Sequence, residues 1–146
     1  MQRTSGFQSS LIIGNNDNCN GLIKIKVRKG TKMAGLEIFD YNGEGYKRQM
    51  SYGEWTVALA NYTDKWGRGN TTYIERHMLT DEVFVLLCGE ASLLIGEEMT
   101  EVQMELGKIY NVKAGEWHQL ICSPDVKILI VENDNTSAEN SEKKFL

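Results

Sequence analysis

Residues 69–89, GNTTYIERHMLTDEVFVLLCG, decide the fold of this 146-residue chain. They contain His77, one of only two histidines, which stands between Glu75 and Glu82. The run VFVLL at 83–87 is apolar and rich in valine, which is typical of a buried strand, and Gly89 ends it. If the chain carries a reactive site, we expect it in this stretch, completed by the second histidine, His118.

Strand-like segments continue outward from this stretch in both directions. The sequence predicts strands at 36–40, 55–60, 71–77, 83–88, 91–95, 102–106, 109–112, 117–122 and 126–131. It predicts a glycine-rich loop at 41–54, a hairpin turn at 89–90 and a tight turn at 123–125. Helical periodicity, βαβ alternation and phosphate-binding glycine motifs are absent from the sequence. The pattern predicts an all-β protein, an antiparallel sandwich or barrel.

Composition limits the partners of the protein. Hydrophobic residues make up 41% and charged residues 25%, and the net charge is −4 without a basic stripe, which argues against nucleic acid as a partner. No apolar run approaches the roughly 20 residues of a membrane span, and the apolar core at 11–13 is too short for a secretory signal. We therefore expect a cytoplasmic protein with no membrane partner.

Three cysteines are present, at 19, 88 and 122. The count is odd and no pair has CxxC spacing, so neither a disulfide framework nor a thiolate zinc site is indicated. Cys88 and Cys122 lie in apolar runs, which predicts two small buried hydrophobic residues.

The domain prediction divides the chain into three parts. Residues 1–32 are an N-terminal extension that forms either a tail or peripheral strands, 33–134 form a single barrel, and 135–146 form a polar C-terminal tail.

Two motifs give the barrel a family resemblance. Gly69, five residues, Glu75-x-His77, four residues, Glu82, six residues and Gly89 follow the spacing of the first cupin signature. The second signature, in the right order, spans 107–122: Gly107, five residues, Lys113-x-Gly115, two residues, His118, three residues and Cys122. The chain resembles a small single-domain cupin, and this resemblance implies a jelly-roll barrel.

The resemblance also implies a metal site with one changed ligand. The four ligand positions of metal-binding cupins fall on Glu75, His77, Glu82 and His118, where Glu75 replaces the usual histidine. Glu75 and His77 are two apart on a strand and share a face. The set could still hold a divalent ion such as Zn, Fe, Mn or Ni. A second outcome stays open, in which two hydrogen-bonded pocket histidines hold no metal.

Aromatic side chains lie close to the two motifs. The sequence places Tyr73, Tyr110 and Trp117 as candidates for a ligand-pocket mouth. Trp55 and Phe84 are predicted in the core. Trp66, in a glycine-flanked loop, is predicted to be exposed, as a lid or a dimer contact.

Three functions remain open at this point. The first is a module that binds a small polar ligand, sugar-like or carboxylate, in the barrel mouth, with or without a metal. The second is a metal-dependent isomerase, epimerase or dioxygenase, a class that the resemblance implies. The third is a non-catalytic homodimeric scaffold, since cupins often pair through their sheets. No nucleotide cofactor is expected, because the sequence has no nucleotide-binding glycine motif.

Overall fold

Ten strands make up most of the computed structural model, which describes residues 35–146. They are β1 (Gly45–Tyr52), β2 (Trp55–Asn61), β3 (Tyr73–His77), β4 (Glu82–Cys88), β5 (Ala91–Ile95), β6 (Thr100–Gln103), β7 (Ile109–Val112), β8 (His118–Cys122), β9 (Lys127–Asn133) and β10 (Ser141–Phe145). A short 3-10 turn covers Asp64–Trp66. The predicted N-terminal extension, 1–32, lies outside the described residues.

The strands form two five-stranded antiparallel sheets. The first sheet has the order β1-β2-β9-β4-β7, and the second has the order β10-β3-β8-β5-β6. One hydrophobic cluster draws on both sheets, including Phe84 and Ile130 from the first and Leu93 and Leu120 from the second. The predicted all-β, jelly-roll barrel is confirmed.

Period-two alternation explains which side chains enter the core. In β9, Ile128, Ile130 and Glu132 are buried while the residues between them are half-buried. In β2 the inward face carries small residues, Thr56, Ala58 and Ala60. Small side chains at these positions leave room for the larger ones of β4 and β9.

The outward face of β2 corrects one core prediction. Trp55 is 42% exposed and its ring stands 6.3 Å from that of Tyr52, so its prediction as a core residue is wrong. The prediction for Trp66 is also wrong, since this residue is 6% exposed and belongs to the hydrophobic cluster. The 3-10 turn directs its ring inward. Phe84 is in the core, as predicted.

The start of the barrel also differs from the prediction. No strand forms at 36–40, where Leu36 and Ile38 are exposed. The predicted loop 41–54 instead contains β1, which pairs with β2 through the two-residue turn Gly53-Glu54. Gly53 has a φ of +59°, which suits the first central position of a type II′ hairpin turn. The polar, glycine-containing sequence concealed this edge strand, because its side chains need not be apolar.

The turn after β4 is a crossover rather than the predicted hairpin. β4 belongs to the first sheet and β5 to the second, so Gly89 and Glu90 carry the chain between sheets. The Glu90 amide donates to Ser123 Oγ at 2.8 Å, and the Ser123 amide donates to the Glu90 carbonyl at 2.8 Å. These bonds fasten the crossover to the tight turn before β9.

Residues 135–146, predicted as a tail, contain β10. This strand pairs with β3 along its whole length, from Ser141 opposite His77 to Phe145 opposite Tyr73. The hydrophilic composition of Ser141–Phe145 hid the strand from the sequence pattern, because an edge strand tolerates charged side chains.

The two cysteines within residues 35–146 differ in state. Cys122 is a buried free thiol, as predicted, and burial raises its pKa to about 12. Cys88 is disulfide-bonded and half-buried, so its prediction as a small buried hydrophobic residue is wrong.

Among residues 35–146, no helix has the length and apolar character needed to cross a membrane. The cytoplasmic location and the homodimer stay predictions.

Candidate metal centre

Three predicted ligand residues meet at one end of the barrel. His77 is the last residue of β3, Glu82 is the first of β4, and His118 is the first of β8. β3 and β8 are neighbours in the second sheet, whereas β4 belongs to the first. The cluster therefore joins the two sheets across the barrel.

The side chains of this cluster approach within metal-ligand distances. Glu82 Oε2 lies 3.2 Å from His77 Nε2 and 2.9 Å from His118 Nε2, and one ligand atom from each residue lies within 4.8 Å of the others. Bonds of about 2 Å from one ion would set neighbouring ligand atoms roughly 3 Å apart. Glu82 and His118 are buried, and the His77 side chain is 13% exposed. Within the described residues, this is the one such group of three.

The hydrogen bonds of His118 require positive charge between its ring and Glu82, either a second proton on the ring or a metal ion. Its Nδ1 lies 3.0 Å from the Glu116 carbonyl, which accepts only, so Nδ1 carries a proton. In a neutral imidazole Nε2 would then present a lone pair to the Glu82 carboxylate at 2.9 Å. This contact is favourable only with a second proton on the ring or with a metal ion between the atoms. The donor set fits a divalent metal held by His77, Glu82 and His118.

Electrostatics within the cluster favour charged side chains. Burial alone would lower the pKa of His118 and of His77, but hydrogen bonding and charge from Glu82 outweigh it and raise both. Burial would raise the pKa of Glu82, yet hydrogen bonds from the two histidines hold it below its usual value. The lowered pKa favours an ionised Glu82 carboxylate, and positive charge on the two histidines or on a bound metal ion would balance it.

Glu75, the changed position of the family motif, lies outside this set. Its backbone pairs with that of His118, and it lines the same cavity. Its carboxylate lies 3.6 Å from Lys143 Nζ on β10, and it is not part of the three-residue group. Lys143 in turn stands 4.3 Å from the centre of the Tyr73 ring. Lys143 on the neighbouring strand is therefore the cationic partner of Glu75, the glutamate at the changed motif position.

Asp81 fastens the loops that carry the ligands. It accepts hydrogen bonds from Lys113 Nζ at 2.7 Å, Asn111 Nδ2 at 2.9 Å and the Ala114 amide at 3.0 Å. The bonds to Lys113, Ala114 and Asn111 hold the pKa of Asp81 down at about 2. The Gly115 amide also donates to the His77 carbonyl at 2.8 Å. Lys113 and Ala114 thus link the loop before Glu82 to the loop before His118 through Asp81.

A cavity of about 300 Å³ opens beside the cluster. Its wall combines aromatic, cationic and acidic groups with the three ligand residues, including Trp66, Phe84, Lys65, Arg48 and Glu132. The phenol of Tyr46 donates to the Glu132 carboxylate, and Glu132 is buried. Burial, then the hydrogen bond with Glu132, raises the pKa of Tyr46. The cavity can therefore present both a cation and hydrogen-bonding groups to a polar molecule.

The three aromatic residues predicted at the pocket mouth lie elsewhere. The Tyr73 ring packs against Phe145 at 6.1 Å. The Tyr110 hydroxyl accepts from the Glu105 amide, and Tyr110 lines a separate cavity beside Leu93 and Ile95. The buried Trp117 has the Arg76 guanidinium 4.4 Å from its ring centre. None of the three is among the residues that line the cavity beside His77.

Three residues of this cavity were not predicted from the sequence: Tyr46, Glu132 and Ser141. Tyr46 and Ser141 lie on the two unpredicted edge strands. A usable signal existed for Glu132, since strand parity puts it on the same face as the apolar Ile128 and Ile130. An acidic residue on a core-facing row is a recognisable mark of a functional position.

Comparison with known proteins agrees with this architecture. No family model matches the sequence, and no curated protein matches it. Among solved structures, a cupin-2 domain protein from Shewanella frigidimarina has a TM-score of 0.50 at 19% identity, over 64% of this chain and 84% of that one. A cupin protein from Bacteroides fragilis has 0.53 at 12% identity, over 72% and 89%.

A third similar structure is Pac13 of Streptomyces, a nucleoside dehydratase, with a TM-score of 0.54 at 8% identity, over 75% of this chain and 93% of that one. At such identities the likeness concerns the fold alone. Together with the two-sheet topology, it shows that this chain has the fold of a small cupin-type β-barrel.

Proposed function

We propose that this protein binds one divalent metal ion through His77, Glu82 and His118 and takes a small polar ligand in the adjoining cavity. The observation that carries the proposal is the convergence of two imidazole nitrogens on one buried carboxylate oxygen, at 2.9 and 3.2 Å. Three protein ligands leave coordination positions open, which distinguishes a metal site that meets a ligand from a closed structural one. Two nitrogens and one oxygen suit Zn, Fe, Mn or Ni.

The size and lining of the cavity support the proposal that the ligand is sugar-like or a carboxylate. Its size is at the lower end of the roughly 300–1,000 Å³ of small-molecule pockets. Lys65 and Arg48 offer positive charge to a carboxylate, while Glu132 can accept hydrogen bonds from hydroxyl groups. Edges of the buried Trp66 and Phe84 form the apolar part of the cavity wall. Pac13, a barrel of the same fold, has been solved with uridine, so such a barrel can hold a small polar molecule.

The direct test is elemental analysis of protein purified without a chelator and then loaded separately with Zn, Fe, Mn and Ni. We expect close to one metal ion per chain, and a loss of that metal in both His77→Ala and His118→Ala. Because His118 is buried, His118→Gln and thermal unfolding of each variant separate loss of a ligand from loss of the fold. Absence of bound metal under all four loading conditions would refute the proposal.

A second candidate function is catalysis of isomerisation or epimerisation, and the Tyr46–Glu132 pair favours it. A bound metal would polarise a carbonyl or hydroxyl oxygen of the ligand. The Glu132 carboxylate could then take a proton from the neighbouring carbon and return it, with the Tyr46 hydroxyl orienting the carboxylate. Both groups line the cavity that contains the histidines.

This candidate predicts solvent exchange at carbon. In D₂O, the metal-loaded protein should catalyse exchange of deuterium into small hydroxy-carbonyl compounds at the carbon next to the carbonyl. NMR of these compounds measures the exchange. Glu132→Gln should slow this exchange by roughly 10²–10⁴-fold, the usual contribution of a general base. Glu75→Gln, a matched change in the same cavity, should leave it unchanged. Equal rates in the wild type and in Glu132→Gln would contradict a catalytic role for Glu132.

A further inference from the structure

Strand β10 lies directly against the strand that carries His77. Ser141 is the residue paired with His77, and the Met78 amide donates to the Asn140 carbonyl at 2.9 Å. These backbone contacts fix Ser141 at the level of the metal cluster. The two cupin-like motifs end at Cys122, so β10 adds to the site something that those motifs do not contain.

The Ser141 hydroxyl contacts the outer nitrogen of His77. The distance from Ser141 Oγ to His77 Nδ1 is 2.7 Å, while Nε2 of the same ring faces Glu82. An outer hydrogen bond of this kind sets the tautomer and orientation of a ligating histidine. His118 has the equivalent contact from a backbone carbonyl, that of Glu116. Ser141 is therefore the side chain that contacts the outer nitrogen of His77, opposite the nitrogen that faces Glu82.

The segment that leads into β10 is held on the barrel and forms part of the cavity wall. Arg48 Nη1 donates to the Asp134 carbonyl at 2.8 Å, and its Nη2 donates to the Thr136 carbonyl at 3.0 Å. Thr136, Ser137 and Ser141 all line the cavity. The same strand supplies Lys143, which lies 3.6 Å from the Glu75 carboxylate. One edge strand thus contacts both the ligating histidine and the glutamate outside the ligand set.

We propose that β10 is an integral part of the metal centre and that Ser141 is the positioning residue for His77. The inference rests on the proposed metal site and deepens it. Ser141 holds the ring with Nε2 directed at the ion position, so that the imidazole need not be ordered when metal arrives. Lys143, two residues along the strand, retains Glu75 on the cavity wall.

Metal affinity of Ser141 variants tests the role in binding. Ser141→Ala should weaken the binding of Zn²⁺, or of Co²⁺ followed by its visible spectrum, by roughly 10–100-fold, the usual cost of losing an outer partner of a ligand. Ser141→Thr keeps the hydroxyl and should restore most of the affinity. Glu142→Gln changes the neighbouring side chain of β10, which contacts Arg76 and not His77, and this variant should bind as the wild type does.

Nitrogen-15 NMR of the imidazoles tests the same role in metal-free protein. The chain has only two histidines, so each signal can be assigned from one substitution. Ser141→Ala should change the tautomer signature of His77 and leave that of His118 unaltered.

Failure of the proposed role of Ser141 can be distinguished from failure of the proposed metal site. Unaltered His77 signals in Ser141→Ala, or wild-type metal affinity in that variant, would overturn the role of Ser141. Failure of the wild type itself to bind metal would overturn the proposed function, and the inference about β10 as part of a metal centre with it.

Discussion

Glu82→Gln is expected to remove tight metal binding, whereas Glu75→Gln is expected to leave it nearly intact. The two substitutions make the same chemical change on the wall of one cavity. Glu82 Oε2 lies within 3.2 Å of both histidine nitrogens, but the carboxylate of Glu75 contacts Lys143. Loss of a direct ligand should cost more than the roughly 10–100-fold associated with an outer partner.

Isothermal titration with Zn²⁺ measures this difference, with unfolding midpoints recorded for both metal-free variants. Glu82 is buried between two imidazoles, so its replacement should also lower the stability of the metal-free protein. A comparable loss of affinity in Glu75→Gln would place Glu75 in the ligand set, contrary to the three-residue centre. Unchanged affinity in Glu82→Gln would exclude Glu82 as a ligand.

Gly89→Ala is expected to destabilise the fold strongly. Gly89 has a φ of +71°, and an added Cβ would lie 2.8 Å from both the Cα and the N atom of Val126. Backbone atoms cannot move aside as a flexible side chain can. The left-handed conformation costs a non-glycine residue about 1–2 kcal/mol, and forced overpacking adds roughly 1–3 kcal/mol.

Gly107→Ala is the matched control for this prediction. Gly107 has a nearly identical φ of +74°, but nothing lies within 4 Å of an added Cβ. Urea unfolding should show a loss confined to the conformational cost of about 1–2 kcal/mol for Gly107→Ala, and a clearly larger loss for Gly89→Ala. Equal losses would mean that the crossover does not pack on the turn before β9 as closely as the structure has it.

The sequence predicted the central strands and the spacing of the ligands because both depend on local regularities. β5 and β7 have their predicted bounds, since apolar runs flanked by turns determine them. His77, Glu82 and His118 stand at spacings set by strand length and turn length, which one-dimensional patterns preserve.

The edges of the sheets escaped prediction for the opposite reason. An edge strand such as β1 or β10 is stabilised by backbone pairing with one neighbour, and its side chains carry little apolar signal. The sheet to which a strand belongs is also a long-range property. Gly89 and Glu90 look like a hairpin turn in the sequence, and only the packing of two sheets makes them a crossover. The same reason explains why Trp66, predicted to be exposed, is buried, and why Trp55, predicted in the core, is exposed.

Glu82 comes from one sheet while His77 and His118 come from the other, so an ion at this centre would cross-link the two layers of the barrel. Such a site exists only after both sheets have closed, and the unfolded chain has no comparable affinity. Metal binding then shifts the folding equilibrium by mass action. Free metal at 100 times its dissociation constant adds about 2.7 kcal/mol to the free energy of unfolding. The stability of this barrel would accordingly rise with the concentration of free metal around it.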